Sequence, residues 1–272
     1  MNGLSHSPFI WNEKRWYFLS LFYAREKWAE LITHILLFNR ERENQLYNCL
    51  ISFSEVKGEH LQVVFVFPCV ESNDYSTEIR QYFQTFFNKN PSISSTPFPY
   101  GKVVWGQYPN NSLAWNTFRL PDYSEQYIDF HQQTFNVTLE LLEDDFSADS
   151  FISLGIYLII KSLSCIEDKE QKNSILKALQ RTLLDYPHLL YTVEGLMNDI
   201  EMDRIDEIIE SYRNENASEY SPELFSWLNK VKILLKQYGD YYLYAFICEI
   251  TGLKGLPQLM ILELLNARYN RQ

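Results

Sequence analysis

The sequence predicts an α+β protein, with an N-terminal part that is a mainly antiparallel sheet with helices and a C-terminal half that is mostly helical. Three observations carry this. Trp16-Tyr-Phe-Leu-Ser-Leu-Phe-Tyr23 and the two runs inside Cys49–Phe67 are rich in aromatic and β-branched residues, which fit a pleated, half-buried surface. From Ser124 onward the spacing of apolar residues lengthens toward the helical period. The 272 residues are 46% hydrophobic and 16% aromatic, enough to bury a sizeable core. We read one domain, residues 1–272, with a sheet-rich part over 1–120 and a mostly helical part over 121–272.

Trp16–Tyr23 is the first strand, followed by an amphipathic helix from about Ala24 to Leu46. Cys49–Phe67 then reads as two short strands joined by a turn at Glu55-Val-Lys-Gly58. Strand alternation puts His60 and Gln62 on one face, and Leu61, Val63, Phe65 and Phe67 on the other, which is core. Asn88–Tyr100 has the proline and serine content of an exposed loop. Lys102–Tyr108, which contains Trp105, reads as another strand; Pro109–Ser112 marks a turn, and Trp115–Leu120 continues the sheet. Loop and hairpin together would form a lip over a groove.

The helical part begins near Ser124, where Tyr127, Phe130 or His131, Phe135 and Thr138 approximate one face. His131 lies on a mixed polar stretch, where a histidine needs no special role. Phe151–Leu163 is apolar nearly all round, a central core helix started by a cap at Asp149 or Ser150. A helix over Ser174–Tyr186 is stopped by Pro187. Ser221-Pro222 is a start signal, with serine as cap and proline at the first helical position, and Leu224, Leu228, Val231 and Leu235 mark the stripe it buries. Gly239, Gly252 and Gly255 punctuate the chain before a last helix at Leu259–Tyr269.

Composition narrows the function. A net charge of −11 argues against nucleic acid, whose phosphates need clustered Lys and Arg, and against an acidic membrane surface. Cys49, Cys69, Cys165 and Cys248 are far apart, which points to free thiols in a reducing cytoplasm. Phe151–Ile160, the most apolar run, is too short to span a bilayer. No Gly-x-Gly-x-x-Gly, Walker loop, Gly-x-Ser-x-Gly elbow or zinc spacing occurs. Glu143-Asp-Asp145 and Glu201-Met-Asp203 read as solvated or capping groups rather than metal ligands. The expectation is a reaction without metal or cofactor.

A tryptophan-led strand, a long helix, an aromatic strand and the strand His60-Leu-Gln-Val-Val64 occur in that order. This order resembles the C-terminal elimination domain of lantibiotic dehydratases and its free-standing relatives in thiopeptide biosynthesis. In that family the last of these strands carries His-x-Arg-x-Arg. Here the histidine matches, while Gln62 and Val64 stand where the arginines would be. Those arginines are understood to handle a glutamyl carboxylate. A guanidinium fork suits a carboxylate; an amide offers weaker bonds and valine none. Eliminating members also end on a helix with His-Met-x-x-Asn-Arg. If Asn266 takes the place of that asparagine, Leu262 falls where the histidine would be.

The resemblance therefore implies the thiopeptide pyridine synthase branch, whose members keep the elimination-domain-like fold without the eliminase residues. It implies a leader-bearing, modified precursor peptide as substrate, with other biosynthetic enzymes as associates. Within this reading His60, Tyr269 and Glu263 are the candidate catalytic residues, and Gln62, Asn266, Arg268 and Trp105 the candidate substrate-binding residues. Glu263, Asn266 and Asn270 share a face of the last helix at three- and four-residue intervals. A basic patch around Arg40 and Arg42, or Lys254 and Arg268, would meet an acidic leader. Two other readings stay open: a glutamate-eliminating subunit of a split dehydratase, and a non-catalytic module that binds the leader by strand addition.

Overall fold

The computed structural model describes residues 7–69, 74–93, 108–197 and 202–271. It divides into two compact units, Met1–Pro121 and Asp122–Gln272, and its fold is α+β. The expected strand at Lys102–Tyr108, with Trp105, lies almost wholly outside the described residues.

The first unit is an antiparallel sheet with two helices. Strands β1 (Phe9–Trp11), β2 (Lys14–Phe22), β3 (Asn48–Ser54) and β4 (His60–Pro68) run in the order β1-β2-β4-β3, and β5 (Ser112–Trp115) also pairs with β2. Asn12 and Glu13, both at positive φ, close the β1–β2 hairpin. Between β3 and β4, Gly58 adopts φ +118°, a conformation that L side chains rarely take, and its N–H bonds to the Glu55 carbonyl at 3.1 Å.

Both helices pack through apolar stripes. Helix α1 (Trp28–Glu41) buries Trp28, Leu31, Ile32, Ile35 and Phe38, and is shorter at both ends than the expected Ala24–Leu46. Its N-terminal approach is a 3-10 turn at Arg25–Lys27, and Arg42–Gln45 folds back on turn bonds to Asn39, Arg40 and Arg42. Helix α2 (Ser76–Lys89) was not anticipated; Ile79, Phe83, Phe86 and Phe87 are its buried side. Phe38 of α1 and Phe83 of α2 meet Phe65 of β4, with ring centroids 4.9 and 6.1 Å from it.

One sheet expectation shifts. The segment expected to continue the sheet as Trp115–Leu120 pairs instead as Ser112–Trp115, so Ser112 is strand rather than turn. Asn116 at φ +56° ends the extended run, which Trp115–Leu120 as a strand would have to cross.

The second unit comprises α3 (Glu125–Leu142), α4 (Ala148–Leu163), α5 (Asp168–Asp185), α6 (Leu190–Met197), α7 (Met202–Asn214), α8 (Pro222–Tyr238), α9 (Asp240–Ile250) and α10 (Leu256–Arg271). Ser124 caps α3 and Ser221 caps α8, each accepting from the N–H three residues on. The cap of α4 is Ser147, which accepts from Ser150 N, and neither Asp149 nor Ser150. Helix α5 starts at Asp168, earlier than Ser174, because the polar run before Ser174 is its exposed first turn and carries dipole-favoured acids. On α8 the buried stripe is Leu224, Trp227, Leu228, Val231 and Leu234; Leu235 sits to its side.

Gly155 marks a close helix approach. A Cβ there would lie 2.4 Å from Leu253 Cδ1 and 2.8 Å from Ile261 Cδ1. The apolar helix α4 is thus seated against the chain leading into α10, as its nearly uniform hydrophobicity requires.

Candidate functional site

His60 opens β4 in a row shared with Phe22 of β2 and Ser54 of β3. Its Nδ1 lies 2.8 Å from the Gly58 carbonyl oxygen. Donation to that carbonyl puts the proton on Nδ1 and leaves the lone pair on Nε2. The ring lies 4.6 Å from that of Phe22, which on its other contact lies 4.7 Å from Tyr108 at an interplanar angle of 25°. Only 3% of His60 is exposed. Burial pushes its pKa down to about 4, outweighing the opposing bond to Gly58. At neutral pH His60 is an uncharged imidazole held in one tautomer, able to accept a hydrogen bond or a proton through Nε2.

Gln62 occupies the next row on the same face, between Ser20 and Ser52. Ser52 Oγ donates to its Oε1 at 3.4 Å, and Ser20 Oγ pairs with Thr117 Oγ1 at 2.6 Å. These two rows form a polar end of the sheet face, and the next row is apolar: Val64 is buried between Phe18 and Leu50. The expectation that only the opposite face is core needs correction. Strand β4 is central and buried on both faces: α1 and α2 cover the Leu61–Phe67 side, and Tyr108, Thr117 and Phe118 lie against Phe22, Ser20 and Phe18 on the other.

The other candidates lie on α10. Glu263 is half-buried; desolvation raises its carboxyl pKa, opposed by a hydrogen bond from Asn266 and reinforced by the charge of Glu194. Asn270 Nδ2 reaches Asn266 Oδ1 at 3.5 Å. The neighbouring candidates have partners inside the helical unit. Arg268 is buried, donates to the Asp206 carbonyl at 3.0 Å and pairs with the Asp206 and Glu210 carboxylates of α7. Tyr269 donates to Gln171 Oε1 at 2.6 Å and accepts from Arg213. Burial raises the Tyr269 pKa, and Arg213 lowers it less. Leu262 is fully buried. Trp105 lies outside the described residues.

The structure thus joins His60 to Gln62 in adjacent sheet rows and Glu263 to Asn266 on one helix face, while Arg268 and Tyr269 tie α10 to α7 and α5. It also shows two features that the sequence reading missed. One is a cleft of ≈ 550 Å³ between α2 and β5, lined by Arg80, Gln84, Phe87, Asn88, Asn111, Ser112, Leu113 and Trp115. The spacing of Ile79, Phe83, Phe86 and Phe87 was the signal for α2, and hence for this cleft. The other is Lys161, a buried ammonium on the apolar helix α4. It donates to the Tyr212 carbonyl at 2.7 Å and the Tyr220 hydroxyl at 2.9 Å, and pairs with Glu215 at 2.8 Å. Three donors meet three acceptors, so Lys161 is a lock between α4 and the end of α7 with the segment that follows it.

Among the described residues, no group of three or more His, Cys, Asp or Glu side chains is placed to hold a metal ion. No described helix is long and apolar enough to cross a membrane.

Comparison with known proteins adds a likeness of fold. No protein-family model matches the sequence, and no curated protein matches it. Among solved structures, the chain is similar to the pyridine synthase TbtD from thiomuracin biosynthesis, with a TM-score of 0.62 and 12% sequence identity, over 94% of this chain and 98% of that one. At that identity the likeness is one of fold. It is a likeness to a pyridine synthase fold, and it lends no support to placing the chain in the dehydratase family.

Proposed function

We propose that this protein is a thiopeptide-type pyridine synthase. It would act on a leader-bearing precursor peptide with azole rings and two dehydroalanines. The observation that carries the reading is the likeness to a pyridine synthase along nearly the full length of both chains. Three positions support the choice of cyclase over eliminase. Where an eliminase would present charged or basic groups, this chain has Gln62, half-buried beside Ser52, and the core side chains Val64 and Leu262. None of these can fork onto a glutamyl carboxylate or abstract a proton.

The reaction is a formal [4+2] cycloaddition. One dehydroalanine, with the neighbouring amide as its iminol tautomer, supplies four atoms; the second dehydroalanine supplies two. Two bonds form and give a six-membered nitrogen ring. Loss of water, and then of the leader as a C-terminal amide, makes the ring aromatic and closes the macrocycle. Atoms and electrons balance without an oxidant. The main demand is to hold two ends of one peptide together, an orientation effect of up to roughly 7–11 kcal/mol when ideal.

Protons must also move, from amide nitrogen to oxygen and onto the leaving groups. His60, neutral with Nε2 as acceptor, suits the first of these tasks, and Gln62 would orient the amide by neutral hydrogen bonds. Glu263, whose carboxyl is raised by burial, suits delivery of a proton, with Asn266 holding it in place. Arg268 and Tyr269 would act by fixing α10.

The test is to incubate the purified protein with a dehydrated, azole-bearing precursor and, separately, with a glutamylated one. Both are followed by intact mass. A mass loss from the first alone supports the cyclase; loss of glutamate from the second supports an eliminase.

A further inference from the structure

The segment that leads into β5 holds one more ring against the sheet. The Tyr108 N–H donates to the Lys57 carbonyl at 3.2 Å, on the same β3–β4 turn that carries Gly58. The residues after Tyr108 are tied down as well. Ser112 Oγ donates to the Pro109 carbonyl at 2.5 Å, and the side-chain amides of Asn110 and Asn111 each donate to the Ser92 carbonyl at 2.8 Å. Tyr108 is thus fixed through its own backbone and through the turn that follows it.

From that anchor three rings run inward as a column. Tyr108 lies 4.7 Å from Phe22 at an interplanar angle of 25°, and Phe22 lies 4.6 Å from His60 at 32°. Exposure drops after the first ring: Tyr108 is half-buried, whereas Phe22 and His60 are buried. Gly58 packs against the outer two residues, since a Cβ there would lie 3.6 Å from Phe22 Cδ1 and 3.8 Å from the Tyr108 carbonyl oxygen. The row across the sheet is Ser112, Phe22, His60 and Ser54, so the strand neighbours of His60 are uncharged. The carboxylates on either side of the turn, Glu55 and Glu59, pair with Arg25. Access of water, more than a neighbouring ion, governs the charge of His60.

We infer that Tyr108 is a positioning residue for His60: its ring, acting through Phe22, holds the imidazole on the Gly58 carbonyl and keeps water from it. The inference rests on the cyclase reading for the use made of His60, not for the geometry. Without the Tyr108 ring, water reaches the outer face of Phe22 and the charged imidazole is better solvated. The pKa of His60 then moves up from about 4 toward its ordinary 6.5. At pH 5.5 a ring of pKa near 4 is almost wholly neutral, while one restored to 6.5 is neutral in about one molecule in ten. In the remainder a proton occupies Nε2, and the acceptor is lost.

The test is the ring-nitrogen NMR spectrum of His60 in the full chain at pH 5.5 and pH 8, assigned by the signals that vanish in His60→Gln. Wild type should show a neutral ring protonated on Nδ1 at both values. Tyr108→Ala keeps the backbone bond to Lys57 and removes only the ring; its His60 should be protonated at pH 5.5 and mixed in tautomer at pH 8. Tyr108→Phe keeps the outer ring and should give the wild-type spectrum. A His60 that stays neutral and on one tautomer in folded Tyr108→Ala, or that changes equally in Tyr108→Phe, would overturn the inference.

Pyridine formation measured alongside separates the two ideas. Relative to wild type, kcat of Tyr108→Ala should fall by up to about tenfold more at pH 5.5 than at pH 8; a loss equal at both values would contradict action through His60. If the His60 signals respond as expected but wild type forms no pyridine, the cyclase reading fails alone. If wild type forms pyridine and the His60 signals of Tyr108→Ala do not move, the role of Tyr108 fails alone.

Discussion

His60 Nδ1 sits 2.8 Å from the carbonyl oxygen of Gly58, across a turn in which Gly58 adopts positive φ. That bond sets the tautomer, and burial sets the charge, since the folded pKa falls to about 4 from 6.5. Between those values the unfolded chain binds a proton that the folded chain refuses, so stability is lost as pH falls from about 6.5 toward 4. Above 6.5 both states are neutral and His60 contributes no pH dependence. The loss from His60 alone should be about 2 kcal/mol at pH 5. His131, also buried and pushed down to about 3, adds to the slope. Urea denaturation of wild type and His60→Gln across this range should show a shallower pH dependence in the variant; identical slopes would place His60 in water.

Lys161 is predicted to be a stability residue. Lys161→Met keeps the aliphatic stem but removes the donor shared by the Tyr212 carbonyl, the Tyr220 hydroxyl and Glu215, leaving Glu215 with the Tyr157 hydroxyl. The cost should be about 2–4 kcal/mol, somewhat under the ~3–5 kcal/mol of a fully buried ion pair because Glu215 is partly exposed. A shift in the urea midpoint with little change in slope is the expected reading.

Tyr269 and Glu263 should separate under substitution. Tyr269→Phe loses the bonds to Gln171 and Arg213 and should cost about 1–2 kcal/mol of stability, with turnover per folded molecule near that of wild type. Glu263→Gln keeps the shape but cannot donate a proton, and should lower kcat about 100-fold or more if the group is the general acid. Equal kcat losses in both would assign Tyr269 to the chemistry as well.

Gly155→Ala tests the helix seating. The added methyl meets Leu253 and Ile261 well inside contact distance, and although both are side-chain ends, the core around α4 is filled. A destabilisation of about 1–3 kcal/mol is expected, despite the better helix propensity of alanine, measurable as a lowered Tm.

What could be read from the sequence was whatever local chemistry dictates. The β3–β4 hairpin followed from alternation and the Glu55–Gly58 turn, and the start of α8 from Ser221-Pro222. What could not be read depends on contacts distant in sequence. Strand β4 carries an alternation that looks half-exposed, yet α1 and α2 cover one face and Tyr108, Thr117 and Phe118 lie against the other, so His60 changed from a surface histidine to a buried one. The Arg268 and Tyr269 pair looked available for substrate because its partners lie on α7 and α5, distant in sequence, although Ile205, Ile208, Ile209 and Tyr212 at helical spacing mark α7 itself. Strand β5 moved because Asn116 adopts a left-handed conformation that composition does not announce.

The most direct test of the central claim is the form in which the leader leaves. Wild-type protein is given a dehydrated, azole-bearing precursor, and the released leader is resolved by mass as amide or acid. The cyclase account predicts a leader ending in a C-terminal amide, released one for one with a peptide product that has lost water and gained a pyridine absorbance. Release of leader acid, or a precursor left unchanged while a glutamylated precursor loses glutamate, would contradict it.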